Sequence, residues 1–341
     1  MIALIGLVGC SKDSFDDFDS PSTQEDTYSP SAQEETSYSP LYMVGATRAV
    51  SGESTWNDIH VFLTSGSTSA EGTVTEGKFK YVSDTEEWST KLKLKSGSRT
   101  YRLYGFMPDD ASLTSSLLTS WTEEGAVLHI ENLNPLTSDD YCVVTGVRQV
   151  ELSTDKTSAT RGAFTFGYNS NRQNYINLLL DHILSQLEFY MKISTTYNTL
   201  RTIKVKKMTL KLANISTMTV DVTLANGVGI SDISYSTDGT AANSCVIENE
   251  ETTLTTTSTP ICNAYVAPLT DLFNNLELET EFDVYDKKGN KIAERTATNK
   301  LTTPLTDLER GEKRALLITV DPSYLYVLSD PDLNNPTITI E

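Results

Sequence analysis

The chain has 341 residues, with 46 acidic against 27 basic side chains and a formal net charge of -19. No basic stripe is available to replace the counterions of a phosphate backbone, so nucleic acid is excluded as an expected partner. The length admits two domains of ordinary size. Beyond residue 10 no apolar run approaches the roughly 18 residues that a membrane-crossing helix needs.

The first ten residues end an apolar run, Ile2 to Val8, with Gly9 and Cys10, and an acidic stretch follows. A small residue before a cysteine at the close of an apolar segment is the pattern of a bacterial lipoprotein signal, in which the cysteine becomes the lipid-carrying N-terminus. Residues 1–10 are therefore expected to be part of such a signal and Cys10 the lipidated residue. The segment is short and lacks the Lys or Arg of an n-region, so the true start is expected upstream.

Residues 11–42 are expected to be a disordered acidic tether. Asp13, Asp16, Asp17, Asp19, Glu25, Asp26, Glu34 and Glu35 face only Lys12, and aliphatic residues are too few to bury a core. Two imperfect Ser/Gln/Glu/Tyr-Ser-Pro units, ending at Pro30 and Pro40, make a solvated spacer and not a repeat architecture.

From residue 43 apolar residues recur with period two. Ile59, Val61 and Leu63 form one run, Leu92 and Leu94 another, and Leu187, Phe189, Met191 and Ile193 a third. Met218, Val220, Val222 and Leu224 follow, then Leu276, Leu278, Thr280, Phe282 and Val284. Each run offers one face to a core and one to water, which predicts antiparallel sheets packed as sandwiches. Asp286-Lys-Lys-Gly289-Asn290 reads as a hairpin turn in which Gly289 takes a positive φ. Ser112–Trp121 is expected to make one or two helical turns, and Leu178–Leu184 a buried strand followed by a short helical turn. Gly167, Asn169, Ser170 and Asn171 mark the expected boundary between two all-β domains, 43–168 and 169–341.

Chemistry-bearing residues do not converge in the sequence. His60, His129 and His182 are far apart, and Asp181 and His182, as strand neighbours, point to opposite faces. Cys142, Cys245 and Cys262 lack the spacing of a zinc or iron–sulfur site; Cys245 and Cys262 are either a cross-strand disulfide or, the preferred reading, buried thiols. The acid pairs Asp109-Asp110 and Asp139-Asp140 read as solvated turns. No nucleophile elbow, zinc-protease motif or phosphate loop occurs. The expectation is a protein that is not an enzyme, with no cofactor and no metal. Tyr101, Tyr104 and Phe106, and Tyr324 and Tyr326, could stack on sugars, which gives an alternative as a monomeric surface glycan-binding lipoprotein; core packing is the simpler reading of the same residues.

Several segments in order resemble the fimbrillin-like proteins of Bacteroidales, which supply the subunits and anchors of surface fimbriae. They are the signal ending at Cys10, Tyr42-Met-Val-Gly-Ala-Thr-Arg48, Trp88-Ser-Thr-Lys-Leu-Lys-Leu with Tyr101-Arg-Leu-Tyr-Gly-Phe-Met-Pro108, Leu180-Asp-His182-Ile-Leu-Ser-Gln-Leu-Glu-Phe189, Asp321-Pro-Ser-Tyr-Leu-Tyr326 and the closing Asn335–Glu341. The resemblance implies two tandem transthyretin-like, Greek-key β-sandwich domains and a lipoprotein on the outer membrane at the cell surface. It also implies maturation by an Arg-specific protease, with Arg48 as the candidate cleavage point and Leu41–Thr47 as the displaced strand. Leu41, Met43 and Gly45 would share one face of that strand. Arg161 is a second accessible-looking site. The implied partners are other fimbrial subunits, joined by strand addition, and host or bacterial surface ligands. Thr337, Ile338, Thr339 and Ile340 are the candidate donor strand. Removing a strand bares unpaired backbone groups and an apolar trough, and a donor strand satisfies both.

Overall fold

A computed structural model describes residues 38–48, 56–97, 100–113, 117–171, 173–238, 241–248, 250–269, 272, 274–301, 305, 308–321 and 337–340. Cys10 and residues 11–37 lie outside these residues, as do Tyr324 and Tyr326; Tyr38–Tyr42, expected to be the end of the disordered tether, instead form the first half of a strand that ends at Arg48.

The elements run β1 (Tyr38–Arg48), β2 (Ile59–Ser65), β3 (Thr73–Val82), β4 (Glu87–Thr90), β5 (Lys93–Lys95), β6 (Thr100–Met107), β7 (Leu117–Trp121) and β8 (Gly125–Leu133). Next come β9 (Leu136–Thr137), β10 (Cys142–Val150), β11 (Thr165–Gly167), β12 (Asn174–His182), β13 (Ser185–Ile193), the helix α1 (Thr195–Leu200) and β14 (Thr202–Leu212). β15 (Thr217–Ala225), β16 (Gly229–Asp238), β17 (Asn243–Glu248), β18 (Thr252–Thr253) and β19 (Thr259–Val266) follow. The last are β20 (Leu276–Tyr285), β21 (Lys291–Lys300), β22 (Lys313–Val320) and β23 (Thr337–Ile340).

The protein is all-β, and its described strands fall into four sheets. The first has the order β4-β3-β2-β6-β10-β12-β1-β5, with β11 beside β6. Its two ends, β4 and β5, are separated in the chain only by Lys91 and Leu92, so the sheet curls back on itself, and Leu41 N donates to Leu92 O at 3.1 Å across the seam. The others are β23-β22-β13-β19-β9, β17-β14-β20-β21 with β18 beside β14, and β16-β15-β8-β7.

Period two decides which core each residue of the first sheet enters. Ile59, Val61, Leu63, Leu103, Cys142 and Val144 point into one apolar cluster together with Leu41, Met43, Ile176 and Leu178. Their chain neighbours Phe62, Tyr104, Phe106 and Val143 point the other way, into a larger cluster shared with the remaining three sheets. A strand buried on both faces must be apolar at nearly every position, which explains the near-continuous hydrophobic runs of β6, β10 and β12.

The periodic runs read from the sequence are β2, β5, β13, β15 and β20. The hairpin between β20 and β21 is also as expected: Gly289 has φ +88°, and Asp286 Oδ1 accepts from the Lys288 and Asn290 amides at 2.8 and 2.9 Å. Two local expectations are corrected. Among the described residues of Ser112–Trp121, a short turn at Ala111–Leu113 agrees with the expectation, but Leu117–Trp121 is the strand β7, not a helical turn, and its Trp121 is buried against the larger core. Leu178–Leu184 carries no helical turn, because Ile183 and Leu184 make only a bend before β13 begins. Among the described residues the helix α1 starts where the Ser194 side chain accepts from the Tyr197 amide.

Candidate functional site

β1 pairs on both sides, parallel to β12 and antiparallel to β5. Leu41 is 1% exposed and Met43 4%, set opposite Asn174 and Ile176 of β12. A bulge at Val44 then shifts the register, so that Gly45, Ala46, Thr47 and Arg48 sit opposite Asn177, Leu178, Leu179 and Leu180. The extra residue reverses the alternation. Ala46, not Gly45, is the next residue to pack against the core of Leu41 and Met43, which corrects the expected Leu41–Met43–Gly45 face. Two residues further on, Arg48 is turned inward as well.

The consequence is a buried charge at the candidate cleavage point. The Arg48 side chain is 5% exposed and its guanidinium donates to Asp140 Oδ2, itself 4% exposed, at 2.8 Å. The guanidinium also lies 4.6 Å from the Trp56 ring centroid and 3.6 Å from Met107 Sδ. Asp140 Oδ1 faces His182 Nδ1 at 2.6 Å. Cys142 Sγ is 3.5 Å from the same His182 nitrogen and 3.6 Å from Asp140 Oδ1. Topology brings the four together. Arg48 ends β1, His182 ends β12, Cys142 opens β10 opposite His182, and Asp140 lies two residues ahead of Cys142.

Burial pushes the Asp140 carboxyl up, but the hydrogen bond and charge of His182 and the charge of Arg48 together hold it below its ordinary value. Burial and the Asp140 charge push the Cys142 thiol well above the usual range. Asp140 was expected in a solvated turn. Sequence reasoning missed it because burial of a turn carboxylate is decided by partners distant in sequence; Leu136, Tyr141 and Cys142, apolar residues on both sides of it, are the only local signal.

Arg161 is held differently. Its guanidinium makes a two-pronged pair with Asp181, from Nη1 to Oδ2 and from Nη2 to Oδ1 at 3.0 Å, but its side chain is 47% exposed. Asp181 and His182 thus meet different partners, Arg161 and Asp140, from opposite faces of β12, in line with their adjacency in the strand.

The candidate donor strand β23 lies at the end of its sheet, antiparallel to β22, with Thr337, Ile338, Thr339 and Ile340 opposite Thr319, Ile318, Leu317 and Leu316. The aromatic residues of β6 are structural: Tyr101, Tyr104 and Phe106 are all buried. His60 stacks on Phe106 and meets Asp109 at 2.9 Å, while His129 bridges Asp221 at 2.6 Å and Glu131 at 3.0 Å. Cys245 and Cys262 are free thiols. Burial, then Glu248 and Cys245, raise the Cys262 thiol to about 12.

No family model and no curated protein matches the chain. In structure it is similar to a fimbrial protein from Bacteroides vulgatus, at 11% identity and a TM-score of 0.44, over 89% of this chain and 98% of that one. It is also similar to the fimbrial anchor protein Mfa2 from Porphyromonas gingivalis, at 10% identity and a TM-score of 0.28, over 88% of this chain and 96% of that one.

Proposed function

We propose that this protein is a fimbria-associated surface lipoprotein with a role in adhesion, which joins other fimbrial subunits by exchange of β1. The observation that carries the reading is the setting of β1. It is the first described strand of the chain, it runs parallel to its longer neighbour β12, and it fills a place between two strands with Leu41 and Met43 buried. Release of such a strand leaves the edges of β12 and β5 without backbone partners and opens an apolar trough where Leu41 and Met43 lay. A strand from another subunit satisfies both needs at once. β23, short and paired on one side, has the form of a donor.

Arg48 is the point at which cleavage would free β1. An Arg-specific protease must take the guanidinium into its own pocket, and here that group is buried against Asp140. Cleavage therefore follows the opening of the last residues of β1 and does not occur on the closed strand. Lipidation at Cys10 and the acidic segment behind it place the protein at the outer membrane in this reading.

The test is digestion of the purified soluble chain with an Arg-specific protease, read by N-terminal sequencing and by an unboiled gel. The expected result is a new N-terminus at Ala49 and a detergent-resistant ladder, which deletion of residues 337–341 abolishes. A chain that remains intact at Arg48 and monomeric under conditions that cut Arg161 would overturn strand exchange at β1.

A further inference from the structure

The donors around Asp140 are more than a partner for Arg48. Asp140 Oδ1, Cys142 Sγ and His182 Nδ1 lie within 4.8 Å of one another, and supply one oxygen, one sulfur and one nitrogen. That mixed set suits a borderline divalent ion such as zinc better than calcium or magnesium, which take oxygen ligands. With metal–ligand bonds of about 2.0–2.3 Å, a tetrahedral site has ligand edges of roughly 3.3–3.7 Å. The two edges to Cys142 Sγ, 3.5 and 3.6 Å, already fall in that range. Only the edge between His182 and Asp140, now a 2.6 Å hydrogen bond, has to open.

We propose that Asp140, Cys142 and His182 form a zinc-type metal site that the Arg48 guanidinium keeps closed. Buried charge explains the exclusion. With Arg48 in place, one guanidinium balances one carboxylate, and the thiol stays protonated. If Arg48 leaves, the buried Asp140 carboxylate loses its guanidinium and keeps only the His182 contact at 2.6 Å, which is unfavourable. A divalent ion restores neutrality: it binds Asp140 as the carboxylate and Cys142 as the thiolate, the thiol proton passes to solvent, and the neutral His182 imidazole is the third ligand. Water takes the fourth position, on the side the guanidinium vacates. The ligand set stands on the geometry alone; only the natural occasion for metal entry, loss of Arg48 with β1, rests on the cleavage proposed above.

The experiment titrates cobalt(II) into the full-length chain and its Arg48→Ala variant, and follows the thiolate-to-cobalt charge-transfer absorption. Arg48→Ala should gain this band at one cobalt per chain, lose it on adding zinc, and bind the metal about a hundredfold more tightly than the unaltered chain, in which the buried ion pair competes for the carboxylate. Adding Cys142→Ser or His182→Ala to that variant should abolish the band; Cys245 and Cys262 remain as internal controls. A folded Arg48→Ala chain with no band at saturating cobalt, or a band that survives Cys142→Ser, overturns the site. Should Arg48→Ala fail to fold without metal, Arg48→Gln, which keeps a hydrogen-bond donor toward Asp140, is read by the same criteria. A band in Arg48→Ala beside an unaltered chain that resists cleavage would sink strand release and leave the metal site standing; cleavage without a band would do the reverse.

Discussion

The two terminal strands of the described fold are held by different physics. β1 has eleven residues, pairs on both sides, buries Leu41 and Met43 and ends in an ion pair shielded from water. β23 has four residues and pairs only with β22 at a sheet edge. Opening β1 must expose core surface and separate a buried charge from its partner, whereas opening β23 forfeits one short ladder. A strand that leaves easily is a poor lock and a good donor; a strand that leaves with difficulty is the reverse. The contrast assigns control of any exchange to β1 and, within β1, to Arg48.

Replacing Asp140 by Ala tests that assignment most severely, because it takes the carboxylate away from a buried guanidinium. The expected loss is about 3–5 kcal/mol, seen as a lower urea midpoint at neutral pH. The pH dependence has a defined sign. The folded Asp140 carboxyl is held below its ordinary value of 3.8, so its contribution is fully present above that value and fades as pH falls through the lower, folded one. The gap between the unaltered chain and Asp140→Ala should therefore hold from neutral pH down to about 4 and close below it. A gap that is constant through the acid range would show that the carboxylate charge is not what locks β1.

Leu41→Ala ranks next. Truncating a fully buried leucine removes about 2–5 kcal/mol, according to how far the cavity collapses. Because Leu41 lies in β1, the same variant should also be cut faster at Arg48 by an Arg-specific protease. Equal cleavage rates would mean that β1 does not open as a unit. Deleting residues 337–341, by contrast, should lower stability by only about 1 kcal/mol for each net hydrogen bond lost from the β22 ladder, and leave the rate of cleavage at Arg48 unchanged.

The strands were legible in the sequence because period two is a local property. β13, β15 and β20 alternate apolar and polar side chains over nine or ten residues, and burial of one face follows from that alone, whereas in β2 Phe62 interrupts the alternation and both faces are covered. β10 and β12 were harder: both faces are covered, so alternation vanishes, and Leu178–Leu184 read equally well as a strand with a helical turn. The site was half legible. Arg48 stood out through its resemblance to a cleavage segment, yet its inward orientation depends on the single extra residue of the Val44 bulge. Nothing in Tyr-Met-Val-Gly-Ala-Thr-Arg declares that bulge. Asp140, Cys142 and His182 meet only because β10 and β12 pair in one register, a fact of topology that no spacing rule for metal ligands contains.

The smallest effect belongs to the same kind of pair in an exposed place. His129 bridges Asp221 and Glu131 across β15 and β8, as His182 meets Asp140, but with the histidine side chain 25% exposed. Its pKa is raised, first by the Asp221 hydrogen bond and against a desolvation that opposes it. A raised folded value stabilises at pH below the ordinary 6.5, and the contribution disappears as pH climbs through the folded value. Asp221→Asn should therefore weaken the fold slightly at pH 6 and not at all at pH 9, and added salt should shrink even the acid-side effect. An Asp221→Asn loss as large as that of Asp140→Ala, or one that ignores salt, would mean that burial is not what separates the two histidine–aspartate pairs. The Arg48–Asp140 contact would then lose its claim to be the lock on β1.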